Sequence, residues 1–192
     1  GATTPPDPEI LAGMVRHEMA TFGNPTSTHG IGRAAKALLE ASRERIATAL
    51  GGRPDDVTFT SGGTEAMALA IIGLSGESVG RIAVSATEHS CVRSAAEWLN
   101  HHRGWTVDTL PVTDDGQVTS DILASHLHPK TRIVAIMMVN NEIGTINDLG
   151  SLAPAIRRIA PRARIVVDAA QAFGKVPISV QQLDLDALAV NG

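Results

Sequence analysis

Arg132-Ile133-Val134-Ala135-Ile136-Met137-Met138-Val139 is a continuous apolar run behind one arginine, followed by a helical pattern from Leu152 to Ala160 that Pro161 stops, and then by Arg164-Ile165-Val166-Val167. A run rich in Val and Ile without polar alternation is a strand covered on both faces, as in parallel sheets. A helix between two such strands is a βαβ crossover. Working back along the chain, Trp105 to Leu110 reads as a strand, and Ser120-Asp121 opens a short helix after it. Arg81-Ile82-Ala83-Val84-Ser85 leads into a helix from about Ser90 to His102. Val57-Thr58-Phe59-Thr60 looks like a strand that passes through Ser61-Gly62-Gly63 into a helix from Thr64 to about Leu74. Downstream, Ala187-Leu188-Ala189-Val190 completes the strands. The pattern predicts an α/β protein of three α/β/α layers with a largely parallel sheet.

The N-terminal part follows a different rhythm. Ile10, Leu11, Met14, Val15 and Met19 recur at helical spacing behind Asp7-Pro8, giving a helix that ends near Phe22. A loop of small and polar residues, 23–30, precedes a second helix marked by Ala34, Leu38, Ile46 and Leu50 and stopped by Gly51-Gly52. This divides the chain into an N-terminal segment and helix, residues 1–22, and part of a larger domain, residues 23–192.

Composition narrows the function. The chain has 192 residues with 43% hydrophobic and 19% charged, which is ordinary for a globular protein. A net charge of −4, 3% aromatic residues and no tyrosine provide neither the basic footprint nor the stacking platform of a nucleic-acid binder. The single cysteine, Cys91, excludes an internal disulfide and fits a reducing compartment, so a cytoplasmic location is expected. No apolar run is long enough for a membrane span, and the first residues do not resemble a signal peptide.

In open parallel sheets ligands bind beyond the carboxyl ends of the strands. The residues there are Ser61-Gly62-Gly63-Thr64, Thr87-Glu88-His89, Asn140-Asn141-Glu142 and Asp168-Ala169-Ala170-Gln171. The glycine turn is either an ordinary tight turn or a place where backbone N–H groups at a helix N-terminus receive a phosphate. No Walker spacing occurs, and Gly30-Ile31-Gly32-Arg33-Ala34-Ala35, although it matches Gly-x-Gly-x-x-Ala, has no strand before it and reads as a chance match. His89 is a polar cap, or a group that stacks on a flat ring or shuttles a proton. Asp168 is a helix cap or a carboxylate awaiting a cationic partner, such as a protonated pyridine nitrogen. Asn141 and Gln171 are loop amides or donors to a ring substituent. Cys91 lies only two residues from His89, a poor spacing for a catalytic Cys/His pair. The remaining histidines offer no metal-ligand set.

Six stretches together resemble the pyridoxal-phosphate-dependent cysteine desulfurases of the class V aminotransferases. They are Ala2-Thr3-Thr4-Pro5, Phe22 to His29, Phe59-Thr60-Ser61-Gly62-Gly63-Thr64-Glu65, Thr87-Glu88-His89, Val139-Asn140-Asn141-Glu142-Ile143-Gly144 and Val167-Asp168-Ala169-Ala170-Gln171, in the family's order. The resemblance implies the large domain of a fold-type I enzyme with pyridoxal 5'-phosphate as cofactor. It implies that Gly63 and Thr64 hold the phosphate and that His89 stacks on the ring as a catalytic residue. Asp168 would then pair with the ring nitrogen, and Asn141 and Gln171 would bond the ring oxygen and its surroundings. In the family, L-cysteine is converted to L-alanine, and the sulfur leaves as an enzyme persulfide for an acceptor protein in iron–sulfur cluster assembly or thiolation. The complete enzymes are homodimers.

The sequence departs from the family at both ends. It begins at Gly1, where the family has asparagine, and Asn191-Gly192 falls where the family has a small hydroxyl residue and glycine before a His-Lys pair. The Schiff-base lysine and the catalytic cysteine therefore have no counterpart among Lys36, Lys130, Lys175 and Cys91. The expectation is an N-terminal portion, inactive alone. Selenocysteine lyase, or a non-catalytic remnant or split half that binds a partner, are the alternatives.

Overall fold

The computed structural model describes residues 4–191, so Gly1, the Ala2-Thr3 part of the first motif and Gly192 lie outside the described residues. The chain forms two compact units that meet in sequence between Thr58 and Phe59.

In the first unit, helix α1 (Pro8–Ala20) starts where the sequence predicts it. Asp7 Oδ1 accepts from the N–H groups of Glu9 at 2.8 Å and Ile10 at 3.3 Å, and Pro8 occupies the first turn. Its apolar residues Ile10, Leu11, Met14, Val15 and Met19 stay exposed. Helix α2 (Gly30–Leu50) is capped by the His29 ring, which accepts from the Gly32 N–H, and ends at Gly51, whose φ of 65° needs a residue without Cβ strain. The glycine pattern at 30–32 has a packing cause. A Cβ on Gly32 would lie 2.5 Å from the Ser27 carbonyl oxygen and 2.8 Å from that of Asn24. The loop carrying Asn24 and Ser27 therefore rests directly on the helix backbone, as it could not on a larger residue.

The second unit holds a five-stranded sheet in the order β2-β1-β3-β4-β5, every pairing parallel. The strands are β1 (Arg81–Ser85), β2 (Thr106–Leu110), β3 (Ile133–Met137), β4 (Arg164–Asp168) and β5 (Ala187–Ala189). Helix α3 (Gly63–Ser75) precedes β1, and α4 (Ser90–Arg103), α5 (Ser120–His126) and α6 (Leu149–Ile159) lie between the strands. Side chains alternate across the sheet with period two. Ile82, Val84, Ile133, Ala135 and Val166 pack with Met67 and Ile71 of α3 and with Val92, Ala96 and Leu99 of α4. Ala83, Val134, Ile136, Ile165 and Val167 pack with Leu123 of α5 and with Leu152 and Ile156 of α6. This is the expected three-layer α/β/α arrangement.

One predicted strand is absent. Val57 is extended, at φ −92° and ψ 124°, but residues 57–60 do not join the sheet. The Val-Thr-Phe-Thr alternation expresses β-propensity, whereas a strand is fixed by its ladder. No ladder of this sheet reaches a segment at the junction between the two units.

The β5 edge is held by charge. Arg157 of α6 bonds Asp186 Oδ2 at 2.9 Å and Asp184 Oδ2 at 2.7 Å, and Arg164 bonds Asp186 Oδ1 at 2.7 Å. Asp186 also accepts from the Ile165 N–H at 2.8 Å. Burial pushes this carboxyl up, but the Ile165 N–H and the two arginines outweigh it and hold it below the ordinary aspartate range. Asp186 therefore contributes stability that is present above the ordinary aspartate pKa and lost as the pH falls through the lower folded value. Asp186→Asn is expected to cost about 2 kcal/mol at neutral pH, and less as the pH drops below about 4. Urea midpoints of both proteins at pH 7 and pH 3 check it. A gap that does not narrow at pH 3 contradicts the assignment.

Candidate functional site

All five strands run in one direction, so Ser85, Leu110, Met137, Asp168 and Ala189 end at one edge. What happens there follows from where the ladders stop. β1 pairs with β3 only as far as Val84 opposite Ala135, and the chain then turns away after Ser85, the Glu88 N–H donating to the Ser85 carbonyl at 3.3 Å. That leaves the Met137 N–H without a strand neighbour on the β1 side. Glu88 fills the position, its Oε1 accepting from the Met137 N–H at 2.5 Å. On the other side Met137 is in register with Asp168, and the Met138 N–H donates to the Asp168 carbonyl at 2.8 Å. Met137 of the central strand is thus held by the Glu88 carboxyl on one side and by the Asp168 backbone on the other.

Both are buried: Asp168 is 5% exposed and Glu88 2%. Asp168 Oδ1 accepts from the Ala170 N–H at 3.0 Å, but the helix expected after it is a run of turns, so Asp168 closes a turn rather than capping a helix. Glu88 is pushed up to about 8, mainly by burial and further by the charge of Asp168, against the opposing pull of the Met137 N–H. Next in the chain, exposed His89 caps α4. Its Nδ1 accepts from the Cys91 N–H at 3.3 Å and lies 3.0 Å from Cys91 Sγ. The close spacing that argues against a Cys/His pair in sequence is bridged here by the first turn of a helix. Burial, and then the charge of Asp168, push the Cys91 thiol up, so it stays a thiol rather than a nucleophilic thiolate. Because the backbone N–H of Cys91 can only donate, Nδ1 is the acceptor and the ring proton of neutral His89 sits on Nε2.

Asn141 lies on the loop after β3, closed by an antiparallel bridge between Val139 and Ile146. The flanking asparagines build that loop. Asn140 Oδ1 accepts from the N–H groups of Glu142 and Ile143, while its Nδ2 donates to the Thr87 carbonyl at 3.0 Å and ties the loop to the His89 turn. Asn147, 3% exposed, donates from Nδ2 to the Met137 carbonyl at 2.7 Å and accepts the Val118 N–H on Oδ1 at 2.8 Å. The half-buried Asn141 amide makes no hydrogen bond among the described residues. Gln171 stands after Asp168, its Oε1 accepting from Lys175 Nζ at 3.3 Å.

The glycine turn reaches the same edge by helix length. The C-terminal end of α3 is fixed near the amino edge, where Arg103 bonds Ser75 Oγ at 2.7 Å and the chain enters β1 at Arg81. Thirteen residues at about 1.5 Å each carry its N-terminus back across the sheet. No side chain caps that N-terminus, and a Cβ added to Gly62 or Gly63 would meet nothing within 4 Å. Glu65 folds the turn by accepting from both the Ser61 N–H and Oγ at 2.6 Å, which lowers its pKa. The first N–H groups of α3 are left open to an anion.

These features test the cofactor on the structure itself. An uncapped helix N-terminus over open space suits a phosphate, a buried aspartate suits a protonated ring nitrogen, and an exposed histidine with a defined tautomer suits a ring face. The donor set fits pyridoxal phosphate. Cavities of about 940 Å³ along α3 and α4, lined by Glu65 and Arg103, and about 710 Å³ around Lys130 and Arg162 lie away from the Glu88–Asp168 pair, so chemistry rather than volume selects the site. Sequence reading gave no role to Glu88, Asn140 or Asn147. The signal available for Glu88 and Asn140 was a charged or amide residue in the turn after a strand, and Asn147, at the far end of the loop after β3, had none.

Comparison with known proteins agrees with this chemistry. Residues 1–192 match the family model for aminotransferase class-V. The chain is 37% identical over 196 residues to a protein named cysteine desulfurase IscS from Methanosarcina thermophila, covering all of this chain and 47% of that one. It is 35% identical to a probable mitochondrial cysteine desulfurase of Dictyostelium discoideum, covering 43% of it. Among solved structures, SspA in complex with cysteine superposes with a TM-score of 0.91 at 30% identity, covering all of this chain and 55% of the other. A NifS-like protein gives 0.89 at 31% identity, covering 97% of this chain and 52% of the other. The chain spans about half the length, or less, of the relatives it matches.

Proposed function

The chain belongs to the aminotransferase class-V family, and on that premise we propose that it is the cofactor-binding portion of a pyridoxal-phosphate-dependent cysteine desulfurase. The observation that carries the reading is the convergence of Asp168, the His89 turn and the Asn141 loop on one sheet edge through Glu88, Met137 and Asn140. The similarity to proteins named cysteine desulfurase supports L-cysteine as substrate, and the reading carries with it an acceptor protein for the sulfur and a place in iron–sulfur cluster assembly. The likeness to a structure named as a complex with cysteine points the same way.

Pyridoxal phosphate, when bound, supplies an electron sink for bond breaking in the amino-acid substrate. The chain's residues then have separate tasks. The N–H groups of Gly63 and Thr64 receive the phosphate, aided by the α3 dipole. Asp168 holds the ring nitrogen in its protonated form. His89 covers a ring face and presents its Nε2–H as a hydrogen-bond donor on the substrate side. Asn141, with its amide uncommitted, and Gln171 serve the ring oxygen and its surroundings.

The phosphate assignment is tested by titrating the chain with pyridoxal phosphate and with pyridoxal. Wild type is expected to favour the phosphate ester by at least about tenfold. In Gly63→Val the side chain enters open space, so the fold stays and the preference disappears. An undiminished preference in a folded Gly63→Val variant refutes the assignment.

A further inference from the structure

Glu88 does more in this fold than its neighbours require. One oxygen holds the Met137 N–H, while the other, Oε2, is buried and has no hydrogen-bond partner among the described residues. Among the described residues no ion pair reaches the carboxyl, and the charge of Arg93 draws its pKa down without outweighing burial. Arg93, reaching over from α4, donates instead to the Glu88 carbonyl oxygen at 2.7 Å. Of the other groups around it, Asp168 from β4 pushes its pKa further up and Ser85 from β1 pulls it down, with the Cys91 thiol from α4 beside them. A buried carboxylate without a cation is costly, and two adjoining buried carboxylates are costlier. Asp168 can be compensated by a cationic ligand in front of it, but Glu88, behind the turn, has no such outlet.

We propose that Glu88 is a positioning residue for this site, present as the neutral acid, which holds the His89 turn on β3 and leaves the negative charge to Asp168 facing the cofactor's ring nitrogen. The last clause rests on the cofactor reading above; the protonation and the strut do not. As a neutral acid, Glu88 offers Oε1 as acceptor to Met137 and an O–H on Oε2. An amide can reproduce both, a methyl group neither. The upward displacement to about 8 agrees with this geometry.

The sign of the pH dependence is fixed. Between the ordinary glutamate range and about 8, the unfolded chain has released the Glu88 proton and the folded chain still holds it, so stability falls as the pH rises. In the limit the folding constant drops about tenfold per pH unit over that window.

The experiment uses the ligand-free chain with carbon-13 in its glutamate carboxyls, as wild type, Glu88→Gln and Glu88→Ala. One resonance is expected to titrate near 8 in wild type and to be missing from Glu88→Gln. Unfolding in urea across pH 5 to 8 should show the falling stability in wild type and a flatter line in Glu88→Gln. Pyridoxal phosphate should bind Glu88→Gln within about twofold of wild type, and Glu88→Ala, if folded, at least about tenfold more weakly. A Glu88 resonance titrating in the ordinary glutamate range overturns the proposal, as does a Glu88→Gln variant with the wild-type pH slope or with the affinity loss expected of alanine. If wild type binds no pyridoxal phosphate, the cofactor reading and the proposal's last clause fall, while the resonance and the pH slope still decide the rest.

Discussion

Exchanging Asp168 for asparagine is expected to lower the conversion of cysteine to alanine about a hundredfold while leaving the fold intact. Asparagine keeps an oxygen for the Ala170 N–H, which Asp168 now serves at 3.0 Å, so the local turn survives. It cannot carry the charge that keeps a ring nitrogen protonated. A charge-assisted hydrogen bond of up to roughly 3 kcal/mol, lost where bond breaking needs it most, corresponds to about two orders of magnitude in rate. The measurement is steady-state alanine release in the protein that carries this chain, beside the circular dichroism of both forms. Near-normal turnover in the asparagine variant would reduce Asp168 to a residue that closes a turn.

The largest effect on stability is expected from Asn147→Ala. The side chain occupies a 3% exposed position and serves two buried backbone groups that belong to different segments, the Met137 carbonyl and the Val118 N–H. Alanine leaves both unsatisfied, at about 1–3 kcal/mol each. A total near 3 kcal/mol would lower the melting temperature by roughly 6–12 °C for a chain of this size. Because the Asn147 N–H also donates to the Met138 carbonyl at 2.9 Å, the loss should fall on the loop that carries Asn141. Hydrogen exchange of residues 138–147 should then rise more than that of α4. Uniform protection would place Asn147 in the general core instead.

Much of this was legible in the chain. The continuous apolar runs at 133–137 and 165–167 could only be strands covered on both faces, and the helices between strands then fixed parallel crossovers and three layers. Glycine stops and capping residues set helix ends locally, so Asp7 and Gly51 mark them in the sequence as in the fold. The polar turns after the predicted strands pointed to Gly63, Thr64, His89, Asn141, Asp168 and Gln171, although the segment before Gly63 joins no ladder of the sheet.

What the chain alone could not decide depends on neighbours distant in sequence. Val57–Thr60 has the residues of a strand, yet a strand needs a partner ladder, and this sheet offers none there. Glu88 reads as an ordinary polar residue until the early end of the β1–β3 ladder exposes the Met137 N–H, 49 residues away, to its carboxyl. Burial beside Asp168 then raises its pKa, a property of the assembled edge rather than of glutamate. Residue type and periodicity, which act over a few positions, determined the layers and located the edge. The pairing of Glu88 with Met137, of Asn140 with Thr87 and of Asn147 with Val118 was decided by tertiary structure, because only folding removes those groups from water and forces each to find a partner.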